Sequence, residues 1–219
     1  MSFSSPIVPA IIPQSFTDLQ NQISKLRGLP EVHVDVVDGV FVSACSWPYM
    51  QHETVVGSFT LLEPFSLEVD LMVEKPLPAA LDWLKAGADQ LVFHIETIAP
   101  AVLENFAQQH DVTIGVALSS DTPLDVLYPY LPFVDYVQLM GIATIGAQGQ
   151  PFDISVLERI SVLRENHPHV PISIDGSVNV ETLPQLKNFS LERYIVGSAI
   201  MGADNPREAY RTLTALVQS

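Results

Sequence analysis

The chain has 219 residues, 47% of them hydrophobic, with 25 acidic against 10 basic side chains and a formal charge of −15. This is enough apolar content for one sizeable core, so a single domain over 1–219 is expected. The negative field excludes nucleic acid and anionic lipid as natural partners, and an anionic substrate would have to be held locally, by backbone amides or a metal. Cys45, the one cysteine, rules out an intramolecular disulfide and is expected to be a buried structural thiol in a reducing compartment. Met1 to Pro6 shows no basic stretch leading into an apolar run, and nothing approaches the roughly 18 apolar residues of a membrane span, so a cytoplasmic protein is expected.

Short apolar runs alternate with amphipathic segments, with no low-complexity linker between them. Strands are expected from Ile7 to Ile12, Glu31 to Val37, Ser66 to Met72, Gln90 to His94, Thr113 to Leu118, Tyr136 to Met140, Pro171 to Asp175 and Arg193 to Val196. Apolar residues three and four apart predict helices over Phe16 to Leu26, Pro76 to Ala86, Ala99 to Gln109, Ile154 to Glu165, Val180 to Asn188 and Pro206 to Val217. Pro76, Pro123 and Pro206 fall near helix starts, where a missing N–H costs little. Tyr128-Pro129-Tyr130-Leu131-Pro132 limits any helix after the fifth strand to a turn or two. Eight strand–helix units at this length predict an α/β fold, a single (β/α)8 TIM barrel, rather than an open sheet.

In such a barrel the chemistry sits where strands end. His33 and Asp35 end the second strand two residues apart, hence on one face, and Asp70, His94, Glu96 and Asp175 come from other strand ends. Asp35 and Asp175 each close an apolar run ahead of a glycine-bearing turn, and across one barrel they can flank a substrate for acid/base chemistry. A histidine among several carboxylates can also bind a divalent metal, with Zn, Mn and Fe all open. The same His33-x-Asp35 pattern equally describes a satisfied interior histidine, with Asp38 as a turn residue.

Gly176-Ser177 and Gly197-Ser198 follow the last two strands, where glycine lets main-chain N–H groups approach a phosphate; singly, each is an ordinary turn. The uncharged loop from Gly141 to Gln150 reads either as a mobile cover or as a flexible connection. Met72 and Met140, at strand ends, read either as an apolar floor under a substrate or as ordinary core.

Together these stretches resemble the ribulose-phosphate 3-epimerase family of phosphate-binding barrels. The resemblance rests on His33-Val-Asp-Val-Val-Asp-Gly-Val-Phe-Val42, Leu71-Met-Val73, Phe93-His94, Gly115-Val-Ala-Leu118 with Thr122-Pro123, Asp175-Gly-Ser-Val-Asn179 and Val196-Gly-Ser-Ala-Ile200, in the family's order and over nearly the whole chain. It implies a barrel of the ribulose-phosphate-binding type and an isomerase of pentose phosphate metabolism that interconverts ribulose 5-phosphate and xylulose 5-phosphate. It further implies that Asp35 and Asp175 carry protons on opposite faces of the substrate. Two histidines and these aspartates would hold a divalent metal that polarises the ketone, and the protein would be a homo-oligomer.

Alignment on Leu71-Met72-Val73 puts the family's second metal histidine at Asp70, so the implied ligands are His33, Asp35, Asp70 and Asp175. Three carboxylates favour a harder ion such as Mn or Mg over Zn. The family's substrate-contacting serine near the first strand falls at Ala10 and its second-strand methionine at Val37. Its glycine-rich sixth loop becomes Ala143 to Gly149, leaving Gly146 for phosphate, and a seventh-loop glycine becomes Ser177. These changes keep two alternatives open: a ketohexose-phosphate 3-epimerase, or a non-catalytic sugar-phosphate-binding barrel. Asp35-Val36-Val37-Asp38 lacks the lysine of the related decarboxylases and formaldehyde-condensing synthases. No lysine ends a strand, which disfavours a Schiff-base aldolase.

Overall fold

A computed structural model describes residues 5–51, 53, 55, 65–146 and 148–218. Eight parallel strands close into a barrel in chain order: β1 (Ile7–Ile11), β2 (Glu31–Val37), β3 (Ser66–Met72), β4 (Gln90–His94), β5 (Thr113–Leu118), β6 (Tyr136–Met140), β7 (Ile172–Asp175) and β8 (Arg193–Val196), with β8 paired back onto β1. The expected strands are all present, trimmed by one residue at Ile12 and at Pro171.

Alternation along each strand sorts the side chains into two environments. On β2, Val32, Val34 and Val36 pack outward with Leu67, Val69 and Leu71 of β3 in the core under the helices, which also holds Trp47 and Trp83. Residues of opposite parity enter the bore, where a smaller apolar cluster of Val37, Met72, Val92, Ala117, Tyr136 and Met140 forms one part of the filling. Val8, Ala10 and Ile195 form a second small apolar patch, and buried polar side chains such as His33, Glu68, Gln138 and Arg193 share the bore with them.

The helices are α1 (Phe16–Lys25), α2 (Pro76–Ala86), α3 (Pro100–Gln109), α4 (Ser155–Asn166), α5 (Leu183–Leu186), α6 (Ser198–Met201) and α7 (Pro206–Gln218). The Ser15 hydroxyl accepts from Asp18 N and starts α1, an N-cap whose loss costs about 1 kcal/mol. α2 stops at Gly87, whose φ of 102° lies in the left-handed region that glycine tolerates.

Two expected helices come out differently. The helix expected over Val180 to Asn188 shrinks to α5 and a 3-10 turn at Lys187–Phe189. Its beginning is diverted because Asn179 Oδ1 accepts from the backbone of Glu181 and Thr182, a local turn that competes with helix. After β5 the chain forms a 3-10 helix over Leu124–Phe133, longer than a turn or two, in which Pro129 and Pro132 lack the donors an α-helix needs.

Asp38 is the turn residue its position suggests: it accepts from Val40 N and Phe41 N and also from Glu74 N, tying the β2 loop to the β3 loop. Cys45 is half-buried rather than fully buried, in an isolated bridge with Asp38. Met1 to Ser4 lie outside the described residues, and among the described residues no helix is long and apolar enough to cross a membrane.

Candidate active site

Inward parity on β2, β3 and β7 brings His33, Asp35, Asp70 and Asp175 together in the bore. One ligand atom from each lies within 4.8 Å of all the others. His33 is fixed at both nitrogens: Nδ1 stands 2.5 Å from Glu68 Oε1 and Nε2 3.2 Å from Asp35 Oδ1. Asp70 Oδ2 accepts from Gln138 Nε2 at 2.8 Å. Its Oδ1 is buried and lacks an aligned hydrogen-bond donor among the described residues, although His94 Nε2 approaches to 3.2 Å.

The electrostatics follow from burying like charges together. Burial first, then the facing charge of Asp35, pushes Asp175 well above the ordinary carboxylate range. Burial also raises Asp35, and its bond to His33 offsets part of that rise. Burial alone would depress His33, yet Asp35 and Glu68 outweigh it and hold the imidazole well above its usual value. His94 behaves alike: Asp70 and Glu96 overcome burial and lift it to about 9.

The donor set fits a divalent cation. It offers one imidazole nitrogen and carboxylate oxygens, mutually close enough for one ion to touch all four residues, and one buried carboxylate oxygen lacks an aligned donor. Among the described residues the bore buries Glu31, Asp35, Glu68 and Asp70 with the Arg193 guanidinium, and the His33 and His94 imidazoles are the other groups that can carry positive charge there, so a bound cation would take over from a protonated His33 in balancing the carboxylates.

Above these carboxylates a pocket is lined by Ala10, Met72, Met140, Gly146, Gly176, Ser177, Gly197 and Ser198 as well as Asp35 and Asp175. Every residue proposed from sequence for acid/base work or for phosphate thus borders one cavity, and His33 and Asp70 lie beneath it. The loop after β6 is tied across the mouth: Gly141 N donates to Asp175 O at 2.6 Å, Gln148 Nε2 to Ala10 O at 3.2 Å, and the Ser177 hydroxyl to Gln150 O. Ala147, part of that loop, lies outside the described residues. A Cβ at Gly141 would stand 2.4 Å from Gly176 O, so glycine is what lets the two loops meet. His94 and Glu96 sit to one side, with the Glu96 carboxylate accepting from Ser119 N and Thr122 Oγ1.

This site stands on a chain whose residues 6–201 match the profile of the ribulose-phosphate 3 epimerase family. The protein belongs to the ribulose-phosphate 3-epimerase family. The ribulose-phosphate 3-epimerase of Treponema pallidum is 33% identical over 208 residues, covering 91% of this chain and 92% of that protein. The Candida glabrata epimerase is 27% identical over 217 residues, covering 92% and 88% respectively. As a member of this family the chain is an isomerase-type enzyme. In fold it is similar to a 3-hexulose-6-phosphate synthase from Salmonella typhimurium, with a TM-score of 0.70 at 13% identity over 97% of this chain and 98% of that one. It is also similar to a 3-keto-L-gulonate-6-phosphate decarboxylase from Vibrio cholerae, with a TM-score of 0.68 at 15% identity over 99% and 98%.

A layer below the carboxylate cluster is not read from the sequence. Arg193 of β8 donates to both Glu31 and Glu68, Tyr136 of β6 donates to Glu68, and Gln90 Nε2 donates to Glu31 at 2.7 Å. All are buried, and removing one member of such a charge pair costs about 3–5 kcal/mol because its partner is left uncompensated. The signal was present in strand parity: Glu31, Glu68 and Arg193 interrupt apolar strands at inward positions.

Proposed function

We propose that the protein is a ketose-phosphate 3-epimerase that interconverts ribulose 5-phosphate and xylulose 5-phosphate by proton transfer at C3. The observation that carries this reading is the convergence of Asp35 and Asp175, from strands β2 and β7, on one pocket that the glycine-bearing turns at Gly176 and Gly197 also line. In one direction Asp35 removes the C3 proton, electrons move onto the C2 oxygen to give an enediolate, and Asp175 returns a proton to the opposite face of C3. The reverse reaction exchanges these roles. Asp175 is suited to begin as the acid, since burial and the Asp35 charge favour its protonated form.

His33, Asp35, Asp70 and Asp175 would hold a divalent metal, with Mn or Mg suiting three carboxylates better than Zn. Such an ion supplies Lewis acidity at the ketone and the enediolate. No Lys or Arg lines the pocket among the described residues, so main-chain N–H groups around Gly146, Gly176, Ser177, Gly197 and Ser198 would receive the phosphate. Met72 and Met140 would form the apolar surface against the sugar carbons.

The test is solvent deuterium incorporation at C3, measured with Mn-, Mg-, Zn- and Fe-loaded protein on pentulose and hexulose phosphates in parallel. Exchange into ribulose 5-phosphate that is lost in Asp175→Asn supports the reading. Faster exchange into a hexulose phosphate would favour the second reading, which is motivated by Ala10 and the altered loop bordering the pocket. Exchange into neither substrate would reject both.

A further inference from the structure

Beneath the carboxylate cluster the bore is built around Glu68, and its two oxygens are divided between different tasks. Oε2 receives the Arg193 guanidinium and the Tyr136 hydroxyl, donors fixed on β8 and β6, while Oε1 stands 2.5 Å from His33 Nδ1. The carboxylate is thereby held from below in one orientation. A hydrogen on Nδ1 satisfies Oε1, and Nε2 is left turned toward Asp35 at 3.2 Å and Asp70 at 3.9 Å. A second observation shows how closely this arrangement is fitted. Tyr136 reaches across the bore only because residue 115 on the next strand is glycine; a Cβ there would lie 2.4 Å from the Tyr136 ring. The guanidinium also lies 5.3 Å from the centre of the same ring, so Tyr136 and Arg193 support each other as well as Glu68.

We propose that Arg193 and Tyr136 are positioning residues: they clamp Glu68, which holds His33 with Nδ1 protonated and Nε2 presented to the aspartate cluster. Neither residue touches the pocket; both act through Glu68. The consequence for ion binding rests on the reading of His33 as a ligand, and the position of the His33 ring does not. An imidazole whose second nitrogen is tied to a carboxylate is pre-oriented and more basic, and loss of such an outer partner lowers metal affinity about 10–100-fold.

Two readings on the intact protein test this separately. Protein labelled with 15N-histidine and stripped by chelator reports the His33 Nδ1–H directly; a carboxylate acceptor at 2.5 Å should place that proton far downfield and protect it from solvent exchange. Tyr136→Phe, and Arg193→Met combined with Glu31→Gln to avoid an unpaired carboxylate, are expected to move the resonance upfield and to weaken Mn2+ binding by about tenfold or more, as read by electron paramagnetic resonance of free Mn2+. Glu192→Gln, which breaks the outer Arg164 pair at 2.7 Å, should lower stability without moving either signal. An unchanged Nδ1–H resonance with unchanged Mn2+ affinity in folded Tyr136→Phe overturns the proposal. If that variant does not fold, the Arg193→Met, Glu31→Gln protein decides by the same two readings. A parent protein that binds no Mn2+ while its Nδ1–H still responds to Tyr136→Phe supports the clamp and overturns the metal reading alone.

Discussion

Asp35 and Asp70 are register partners on neighbouring parallel strands, so two carboxylates occupy the same level of the bore, with His33 Nε2 3.2 Å from one and 3.9 Å from the other. By resemblance the family places a histidine where Asp70 stands. The exchange converts a mixed nitrogen and oxygen site into one dominated by carboxylates, and this changes what the site should bind and how it should respond to pH.

The ion preference follows first. Mn2+ or Mg2+ should stabilise the protein more than Zn2+ does; saturation at a hundred times Kd is worth about 2.7 kcal/mol. Asp70→His should reverse the order toward Zn2+. Differential scanning calorimetry with each ion checks this, and equal shifts for all ions in both proteins would contradict it.

Asp175→Asn should lower C3 exchange by about 10²–10⁴-fold, the usual range for losing a positioned acid or base. The same change should affect pH dependence. Because the folded state holds the Asp175 proton more tightly than the unfolded chain does, the metal-free native state binds more protons between the two pKa values. Its stability therefore falls as pH rises from the unfolded carboxylate pKa through the raised native one. Denaturant titrations of metal-free protein should show this decline, and a flatter profile for Asp175→Asn.

Glu96 has the opposite sign. Burial would raise it, but the His94 imidazole 3.7 Å away and hydrogen bonds from Thr122 Oγ1 and Ser119 N hold its carboxyl down at about 2. Its contribution is present above the ordinary glutamate value of 4.5 and is lost as pH falls toward 2. Glu96→Gln should cost about 1–2 kcal/mol at neutral pH, and the difference from the parent should close on acidification. Urea midpoints between neutral pH and pH 2.5 measure it.

Gly115→Ala places a methyl group 2.4 Å from a ring atom of Tyr136. With the bore closed on every side, overpacking should cost about 1–3 kcal/mol, a drop of about 3–10 °C in Tm. A thermal melt within a degree of the parent would show that Tyr136 yields freely.

Much of the fold could be read directly. Near-continuous apolar runs such as Ile7 to Ile12 and Leu91 to Phe93 are what strands covered on both faces require, and their regular alternation with amphipathic segments specifies a barrel. The segment from Val180 to Thr182 and the one around Pro129 are harder to read, because an asparagine side chain in one and missing N–H donors in the other redirect backbone hydrogen bonds against the hydrophobic pattern. His33, Asp35 and Asp175 stand out because each interrupts an apolar strand ahead of a recognisable turn, although only Asp175 ends its strand: β2 runs two residues past Asp35, and β3 two past Asp70. Glu68 and Arg193 do not stand out, since a charge within a strand has no visible partner in the linear chain.

The sequence alone determined the barrel, the inward parity of the carboxylates and their place in the C-terminal halves of the strands, because each depends on residues a few positions apart. Only the tertiary structure decided how those carboxylates are held. Arg193 meets Glu68 across 125 positions and Glu31 across 162. That contact exists only once β8 closes the barrel onto β1 and brings a guanidinium into a bore that would otherwise hold unpaired negative charge.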